Sequence, residues 1–144
     1  MKNGLWSELQ GMIQYTQEAG DTIDPKELAV LFRRAGLPRP VGDLERIEKM
    51  TKHANLIICA RDKNRLVGIA RALTDFCYCC YLSDLAVDSA YQKQGVGKKL
   101  IQKVTELIGE GSSLLLLSAP QATSYYSHLG FQKVENAWKV PRKR

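Results

Sequence analysis

The sequence lacks several features that would place it in a specialised class of proteins. It has no apolar run that approaches the roughly 18 residues of a membrane span, and its first residues, MKNGLWSELQGM, lack the apolar stretch of a secretory signal. It has only two histidines, His53 and His128, and no pair of C-x-x-C knuckles. We therefore expect a protein of the cytoplasm with no membrane partner and no metal site.

The four cysteines lie in apolar, strand-like segments, at Cys59, Cys77, Cys79 and Cys80. Thiols stay reduced in a protein that is not exported, and a free cysteine behaves mainly as a small apolar side chain. A zinc site would need four ligands that converge tetrahedrally, which these spacings do not supply. The sequence thus predicts reduced, buried cysteines with a structural role.

Length and composition indicate one globular domain. The 144 residues, taken as a single domain 1–144, can bury a core large enough to fold unaided. The net charge of +6 favours an anionic partner. We expect no nucleic acid partner, because no helix-turn-helix, zinc-finger or base-stacking motif is present. Part of the charge lies in a basic C-terminal segment, for which a solvated chain end is the simplest explanation: Lys133, Lys139, Arg142, Lys143 and Arg144.

Local patterns predict the order of helices and strands. Residues 10–18 indicate a strand, and Thr22 or Asp24 can cap a first helix that Gly36 stops. A second amphipathic helix begins at Asp43. Further along, the chain predicts strands at 56–61, 65–73 and 78–87, a helix at about 97–108, a strand at 114–118, a short helix at about 121–129 and a last strand at roughly 131–140.

This order predicts an α/β or α+β fold, with helices on both faces of the sheet. The segment 114–118, LLLLS, is apolar on both faces, which favours a position in the centre of the sheet.

The segment most informative about chemistry is LSDLAVDSAYQKQGVGKK, residues 82–99, in which a strand leads through a glycine-bearing loop into a helix. The start of a helix presents unpaired amide groups and partial positive charge, which together attract anions. Gly95 and Gly97 allow the backbone to approach a phosphate, and three lysines lie close in sequence: Lys93, Lys98 and Lys99. The nucleotide-hydrolysing and dinucleotide-binding glycine patterns do not fit, the latter because residue 100 is leucine.

Two motifs resemble those of the GCN5-related N-acetyltransferase (GNAT) family. Residues 92–97, QKQGVG, match the family's coenzyme A signature, Arg/Gln-x-x-Gly-x-Gly/Ala. Residues 125–131, YYSHLGF, are similar to its aromatic-Tyr-x-x-x-Gly-Phe motif. The resemblance extends over essentially the whole chain. It implies the acyl-CoA N-acyltransferase fold, with a mixed central sheet of about six to seven strands flanked by helices on both faces.

The resemblance also implies acetyl-CoA as co-substrate and assigns residues to it. The diphosphate would lie on the loop and helix start, at Gln92, Lys93, Gln94, Gly95, Val96, Gly97 and Lys98. The pantetheine arm would pair with the preceding strand, which bulges and splays in the family, at Leu85, Ala86 and Val87. Tyr125 would pack or flank the cofactor. Ser118 is a weak substitute for an asparagine that many members carry.

For catalysis, the resemblance implies direct attack of a primary amine on the thioester. Tyr126 occupies the position of the general acid, which serves the departing thiolate. Asp84 is the best carboxylate for a base or substrate anchor, with a structural role or a relayed water left open. The acceptor, a small molecule or a protein, is not written in any motif. A non-catalytic acetyl-CoA sensor is the alternative function, and the protein is expected to be a monomer or homodimer.

Overall fold

A computed structural model describes residues 13–144 of the chain. The strands of its sheet are β1 (Ile13–Gln17), β2 (Leu56–Asp62), β3 (Arg65–Thr74), β4 (Cys79–Val87) and β5 (Ser113–Leu115). The α-helices are α1 (Pro25–Ala35), α2 (Leu44–Lys52), α3 (Val96–Ile108) and α4 (Thr123–His128). The first predicted strand is found at Ile13–Gln17, and residues 10–12 of that prediction lie outside the described residues. Within residues 13–144, no helix combines the length and the apolar character needed to cross a bilayer.

The strands follow one another in the sheet in chain order, β1-β2-β3-β4-β5. The first four are antiparallel, and β5 runs parallel to β4. The pairing of these last two strands is short, since Cys79 to Tyr81 lie opposite Ser113 to Leu115 and no pairing follows. Among residues 13–144, the edge of β4 that faces β5 is therefore open beyond Tyr81.

Helices cover both faces of the sheet, as the sequence predicts. On one face α1 and α2 bury a cluster that includes Leu28, Phe32 and Ile47. On the other face α3 buries its apolar side against the sheet through Leu100 and Val104. Burial of each such side chain contributes about 1.5–3 kcal/mol, so the two apolar layers hold the helices in place.

Helix boundaries follow the predicted capping residues. Asp24 accepts a hydrogen bond from the Lys26 amide and caps α1, with Pro25 at its first turn. Gly36 ends α1 in the left-handed conformation, at φ 71°. Asp43 caps α2 by accepting from the Arg46 amide at 3.1 Å. The region between the helices is thus a short loop, residues 36–43, which we call the α1–α2 loop.

A β-bulge in β4 changes which side chains face which helices. Arg71 lies opposite Asp84 and Ala72 lies opposite Leu82, so Ser83 has no counterpart in β3. The extra residue shifts the alternation by one position. Before the bulge, the Leu82 side chain packs into the apolar cluster on the α3 face of the sheet. After the bulge, the even-numbered Ala86 packs into the cluster on the α1–α2 face instead.

The mixed sheet flanked by helices is confirmed, with five strands among the described residues where about six to seven were expected. Two details of the C-terminal part differ from the prediction. Residues 131–140 form no strand. The leucine strand is shorter than predicted, Ser113–Leu115, and lies at the edge of the sheet rather than at its centre. Apolar residues make a strand only where a neighbouring backbone supplies hydrogen bonds, and 131–140 has no such neighbour within the described residues.

The prediction of buried cysteines is correct for two of the four. Cys59 and Cys80 are buried, whereas Cys77 and Cys79 are exposed. The reason is a tight turn between β3 and β4, in which Asp75 accepts from the amides of the three residues Cys77, Tyr78 and Cys79. This turn holds Cys77 and Tyr78 outside the sheet, although their sequence resembles that of the following strand, and Cys79, the first residue of β4, is still exposed.

An ion-pair network fastens β1 to β2 on the α1 side of the sheet. Arg61 donates two hydrogen bonds to the Glu18 carboxylate, from Nε at 2.7 Å and from Nη2 at 2.9 Å. It also approaches Glu27 of α1 at 3.3 Å. The hydrogen bonds from Arg61 hold the pKa of Glu18 below its usual 4.5, against the opposite effect of burial. A lowered carboxyl pKa adds stability above about pH 4.5 that is lost as the pH falls further.

Replacing Arg61 with alanine is therefore expected to destabilise the protein more at pH 7 than at pH 3. At pH 7 the variant loses the pairing with an ionised Glu18, whereas at pH 3 the wild type has already lost part of it. Urea unfolding at the two pH values measures the difference. Lys49→Ala is the control, because the Lys49–Glu45 pair is highly exposed and 3.5 Å apart, and such pairs add little. An equal loss at both pH values would contradict the prediction.

Candidate active site

A cleft of about 510 Å³ opens beside β4 on the side from which β5 has separated. Its walls are the last residues of β4, the start of α3, the helix α4 and the end of α1. Eleven of the residues that the sequence predicts for the site line it: Leu85, Ala86, Val87, Gln92, Lys93, Gly95, Val96, Gly97, Lys98, Tyr125 and Tyr126. Gln94, Ser118 and Asp84 are not among its lining residues.

The start of α3 supplies the polar end of the cleft. Gly95 precedes the helix in a left-handed conformation, at φ 83°, which non-glycine residues adopt at a cost. The first helical hydrogen bond runs from the Lys99 amide to the Gly95 carbonyl. The amides of residues 96–98 come before it and have no partner within the helix. Together with Lys98, they form a positively polarised surface at the cleft.

Gly97 is needed for a reason that the sequence does not reveal. A Cβ atom on Gly97 would collide with the hydroxyl group of Tyr125 and lie 3.7 Å from the Val87 side chain. The sequence predicts that glycine at this position lets a phosphate approach the backbone. In the structure the missing side chain makes room for Tyr125, which packs α4 against the start of α3.

Asp88 stabilises the start of the loop between β4 and α3. It was not predicted as a site residue. Its carboxylate accepts from the Ala90 amide at 2.9 Å and from Nε of Arg34 at 2.6 Å. The Arg34 guanidinium holds the pKa of Asp88 below its usual range. The sequence did contain a signal for this role, because an aspartate just after a strand commonly caps the turn that follows.

Tyr91 also lines the cleft, and its hydroxyl group is held by two residues at the turn between β2 and β3. Its hydroxyl donates to the Asp62 carboxylate and accepts from Arg65, whose guanidinium lies 5.4 Å from the centre of the ring. The hydrogen bond to Asp62 is the main reason that the pKa of Tyr91 is raised. These contacts join the turn between β2 and β3 to the loop before α3.

Two glutamines of the motif stabilise the loop through their side chains. Gln92 donates to the Val87 carbonyl at 3.0 Å, and Gln94 donates to the Ala90 carbonyl at 3.3 Å. Both bonds run back toward the preceding strand. The side chain of Gln92 thus shapes the loop, and the residue also lines the cleft.

Tyr126 lies on α4 and lines the cleft. Its ring packs edge-on against Tyr125 at 5.3 Å and against Phe131 at 5.5 Å. Burial raises the pKa of Tyr126, the neighbouring Tyr125 adds to the rise, and the positive charge of Arg39 opposes it. The hydroxyl therefore carries its proton at neutral pH and can donate a hydrogen bond. His128, predicted to be a surface residue, is exposed.

Asp84 is buried on the α1–α2 side of the sheet, and both of its carboxylate oxygens are engaged. One accepts from Nε of Arg39 at 2.6 Å and the other from Nε of Arg71 at 2.5 Å. A carboxylate in such contacts is poorly available to take a proton from an amine. The geometry favours the structural role left open by the sequence over the role of base.

Ser118 belongs to a second cavity, of about 890 Å³, between β5, α4 and the C-terminal segment. Tyr126 lines both this cavity and the first cleft. Ser118 is separated from the loop residues that the sequence grouped with it, because β5 ends at Leu115 and the chain then turns away into α4.

The residues present fit a long ligand with an anionic end and an apolar arm. The amide-rich start of α3 suits the diphosphate of coenzyme A. The unpaired edge of β4 offers main-chain groups to the amide-bearing arm, beside the apolar side chains of Leu85 and Val87. When bound, acetyl-CoA supplies an activated acetyl thioester.

Comparison with known proteins agrees with this fit. A family model described as "Acetyltransferase (GNAT) domain" matches residues 40–140. A soybean (Glycine max) histone acetyltransferase, TAP1, is 28% identical over 127 residues, which are 79% of this chain and 54% of that protein. The chain thus spans about half the length of this curated relative.

Solved structures share the fold over nearly the whole chain. A probable acetyltransferase from methicillin-resistant Staphylococcus aureus superposes with a TM-score of 0.76 at 23% identity, covering 92% of this chain and 99% of that one. The aminoglycoside N-acetyltransferase AAC(6')-Iy, in complex with CoA, gives a TM-score of 0.65 at 17% identity, covering 92% and 95%. Given a family match over most of its length and this shared fold, the chain belongs to the GNAT family of acetyltransferases.

Proposed function

We propose that the protein transfers an acetyl group from acetyl-CoA directly to a primary amine. One observation carries the proposal: a single cleft joins the amide-rich start of α3 to the hydroxyl-bearing side chain of Tyr126, along the open edge of β4. An anion site, an extended edge for the arm and a proton donor are the groups that this reaction requires.

The residues of the cleft divide into those that bind and those that act on the reacting atoms. The main chain of 92–98 and the lysines beside it hold the diphosphate. The open edge at 85–87 pairs with the arm, and an amide of this edge polarises the thioester carbonyl. Loss of one such donor typically costs about 10²–10³ in rate. Tyr126 donates to the departing sulfur.

The amine must lose its proton before or during attack, because an alkylammonium has a pKa near 10.4. With Asp84 engaged by two arginines, we assign this step to water relayed from the cleft. Relatives carry different acceptors in their names, a histone in one and aminoglycosides in another. The acceptor of this protein is therefore proposed only as a primary amine, on a protein or a small molecule.

The test is a thiol-release assay with acetyl-CoA and a panel of amines, beside a calorimetric titration with acetyl-CoA. The panel contains a lysine-bearing histone peptide, an aminoglycoside, a polyamine and an arylalkylamine. Saturable thiol release with at least one amine is expected. Tight binding without turnover against all of them would support the non-catalytic sensor instead, and absence of binding would overturn both functions.

Location in the cytoplasm and the choice between monomer and homodimer stay predictions.

Replacing Gly95 with alanine is expected to weaken acetyl-CoA binding about tenfold. The left-handed conformation at φ 83° costs a non-glycine residue about 1–2 kcal/mol. Relaxation of that strain moves the amides that follow, while open space around Gly95 excludes a simple collision. Calorimetric titration with acetyl-CoA measures the effect.

Gly109→Ala provides the control at the other end of α3. Gly109 also has a positive φ, 81°, and open space around its Cα. The substitution strains the same helix but lies outside the cleft lining. It should lower stability and leave the affinity unchanged; an equal loss of affinity in both variants would show that general destabilisation is the cause.

A further inference from the structure

Arginine side chains surround β4 where the strand bulges. Nη2 of Arg39 donates to the Ser83 carbonyl oxygen at 2.8 Å, and Nη2 of Arg71 donates to the Ser83 hydroxyl at 2.9 Å. The next residue, Asp84, accepts from Nε of each arginine at 2.6 and 2.5 Å. Both residues of the bulge are therefore held by guanidinium groups from two directions.

The two arginines belong to different parts of the fold. Arg71 lies on β3, is 7% exposed, and also donates to the Met50 carbonyl at the end of α2. Arg39 lies in the α1–α2 loop, and its side chain is 24% exposed. Arg71 is thus fixed by the sheet itself. Arg39 instead connects a surface loop to the strand that forms one wall of the cleft.

We infer that Arg39 is a positioning residue: it fastens the α1–α2 loop to the bulge of β4 and so fixes the direction of the open edge that begins at Leu85. This inference rests on the acetyl transfer proposed above, because that reaction uses the edge. The bulge is the point at which β4 turns Leu85 and Val87 into the cleft. Leu37 of the same loop lines the cleft as well, so one contact sets two of its walls.

The role requires the shape of arginine. Nε and Nη2 lie on one side of the planar guanidinium and reach two acceptors at once, here the Asp84 carboxylate and the Ser83 carbonyl. Such charge-assisted bonds are roughly twice as strong as neutral ones. A lysine offers a single ammonium and can satisfy only one of these acceptors with comparable geometry.

Removal of Arg39 should leave the protein folded. The cluster holds two guanidinium groups and one carboxylate, so the pair of Arg71 and Asp84 remains intact without it. The partly exposed position of Arg39 also limits the cavity that truncation creates. The effect can therefore be measured on native protein, with Arg39→Lys as a milder variant that retains the positive charge.

The experiment compares Arg39→Ala and Arg39→Lys with the wild type in two measurements. Hydrogen exchange of the peptide covering 82–87 should accelerate about tenfold or more in Arg39→Ala, as expected for loss of bonds to a charged group. In the thiol-release assay kcat should fall about tenfold or more, whereas the Kd for acetyl-CoA changes by no more than about threefold, because the loop at 92–98 is untouched. Arg39→Lys should restore only part of kcat.

Arg61→Ala is the matched control. It removes an arginine that makes a similar two-bond contact to a carboxylate, Glu18, from β2, which β3 separates from β4 in the sheet. It should lower stability without changing kcat or the exchange of 82–87. Equal losses of kcat in Arg39→Ala and Arg61→Ala would overturn the inference, as would unchanged exchange at 82–87 in both Arg39 variants. A wild type without turnover would refute acetyl transfer, while the exchange measurement would still decide whether Arg39 holds the bulge.

Discussion

Tyr126→Phe is expected to lower kcat about 10²- to 10³-fold while the affinity for acetyl-CoA changes by no more than about threefold. The substitution removes one oxygen from a ring that packs against Tyr125 and Phe131, so the walls of the cleft stay in place. What is lost is the proton that the hydroxyl offers to the departing sulfur. That interaction exists only as the thioester breaks, so its loss affects kcat rather than binding.

The direction of the pKa shift makes this prediction more specific. Because burial raises the pKa of Tyr126 above its usual 10, the hydroxyl remains protonated from neutral pH to above pH 9. Any change in rate over that range must come from the amine and its proton acceptor. The wild type and the variant should therefore show parallel pH–rate profiles between pH 7 and 9, offset by a constant factor.

Tyr78→Phe is the control for loss of a tyrosine hydroxyl. Tyr78 is 77% exposed in the turn between β3 and β4 and is not among the residues lining the cleft. It should retain wild-type kcat. If Tyr126→Phe kept more than about a third of the wild-type kcat, the hydroxyl would be a packing group and not the acid.

Local rules explain the part of the fold that the sequence predicted well. The boundaries of α1 and α2 follow from a capping side chain and a stop glycine, as at Asp24 and Gly36. The loop before α3 was predicted for the same reason, since Gly95 has the backbone conformation that favours glycine. These signals depend on a few neighbouring residues, so they can be read without knowing the rest of the fold.

The contacts that organise the site are long-range, and no local pattern reports them. Arg39 and Asp84 are separated by 45 positions in the sequence, yet they form a direct ion pair. From the sequence alone, an aspartate just before a strand segment expected to contact a cofactor suggests a general base, because its arginine partners are not apparent. The bulge at Ser83 decides that Asp84 points toward α1 and α2 instead, and a bulge inside a regular apolar pattern has no clear sequence signal.

In the segment 131–140 the sequence-based prediction of a strand failed, because no strand forms there. The sequence predicts a strand here, but Trp138 is 95% exposed and Val140 93%. In an edge strand such as β5, periodicity alone does not specify which backbone will pair next. Pairing depends on a partner at the right distance, and none is present for 131–140 within the described residues.

Replacing Asp84 with alanine is expected to lower the free energy of unfolding by about 3–5 kcal/mol. Asp84 is completely buried, and without its carboxylate the guanidinium groups of Arg39 and Arg71 are left close together without a counter-charge. Arg71, 7% exposed, cannot turn to solvent without breaking its bonds to Ser83 and Met50. Urea unfolding measures the loss, and Arg61→Ala gives a reference for an arginine–carboxylate pair that is less buried.

The double variant Asp84→Ala with Arg39→Ala separates the structural role from that of a base. If the cost of Asp84→Ala comes from uncompensated charge, removing one arginine relieves part of it, and the double variant is more stable than the sum of the single changes predicts. A base that acts on the amine would give another result. Asp84→Asn would then retain nearly full stability and lose the ascending limb of the pH–rate profile, and that outcome would return Asp84 to the catalytic residues.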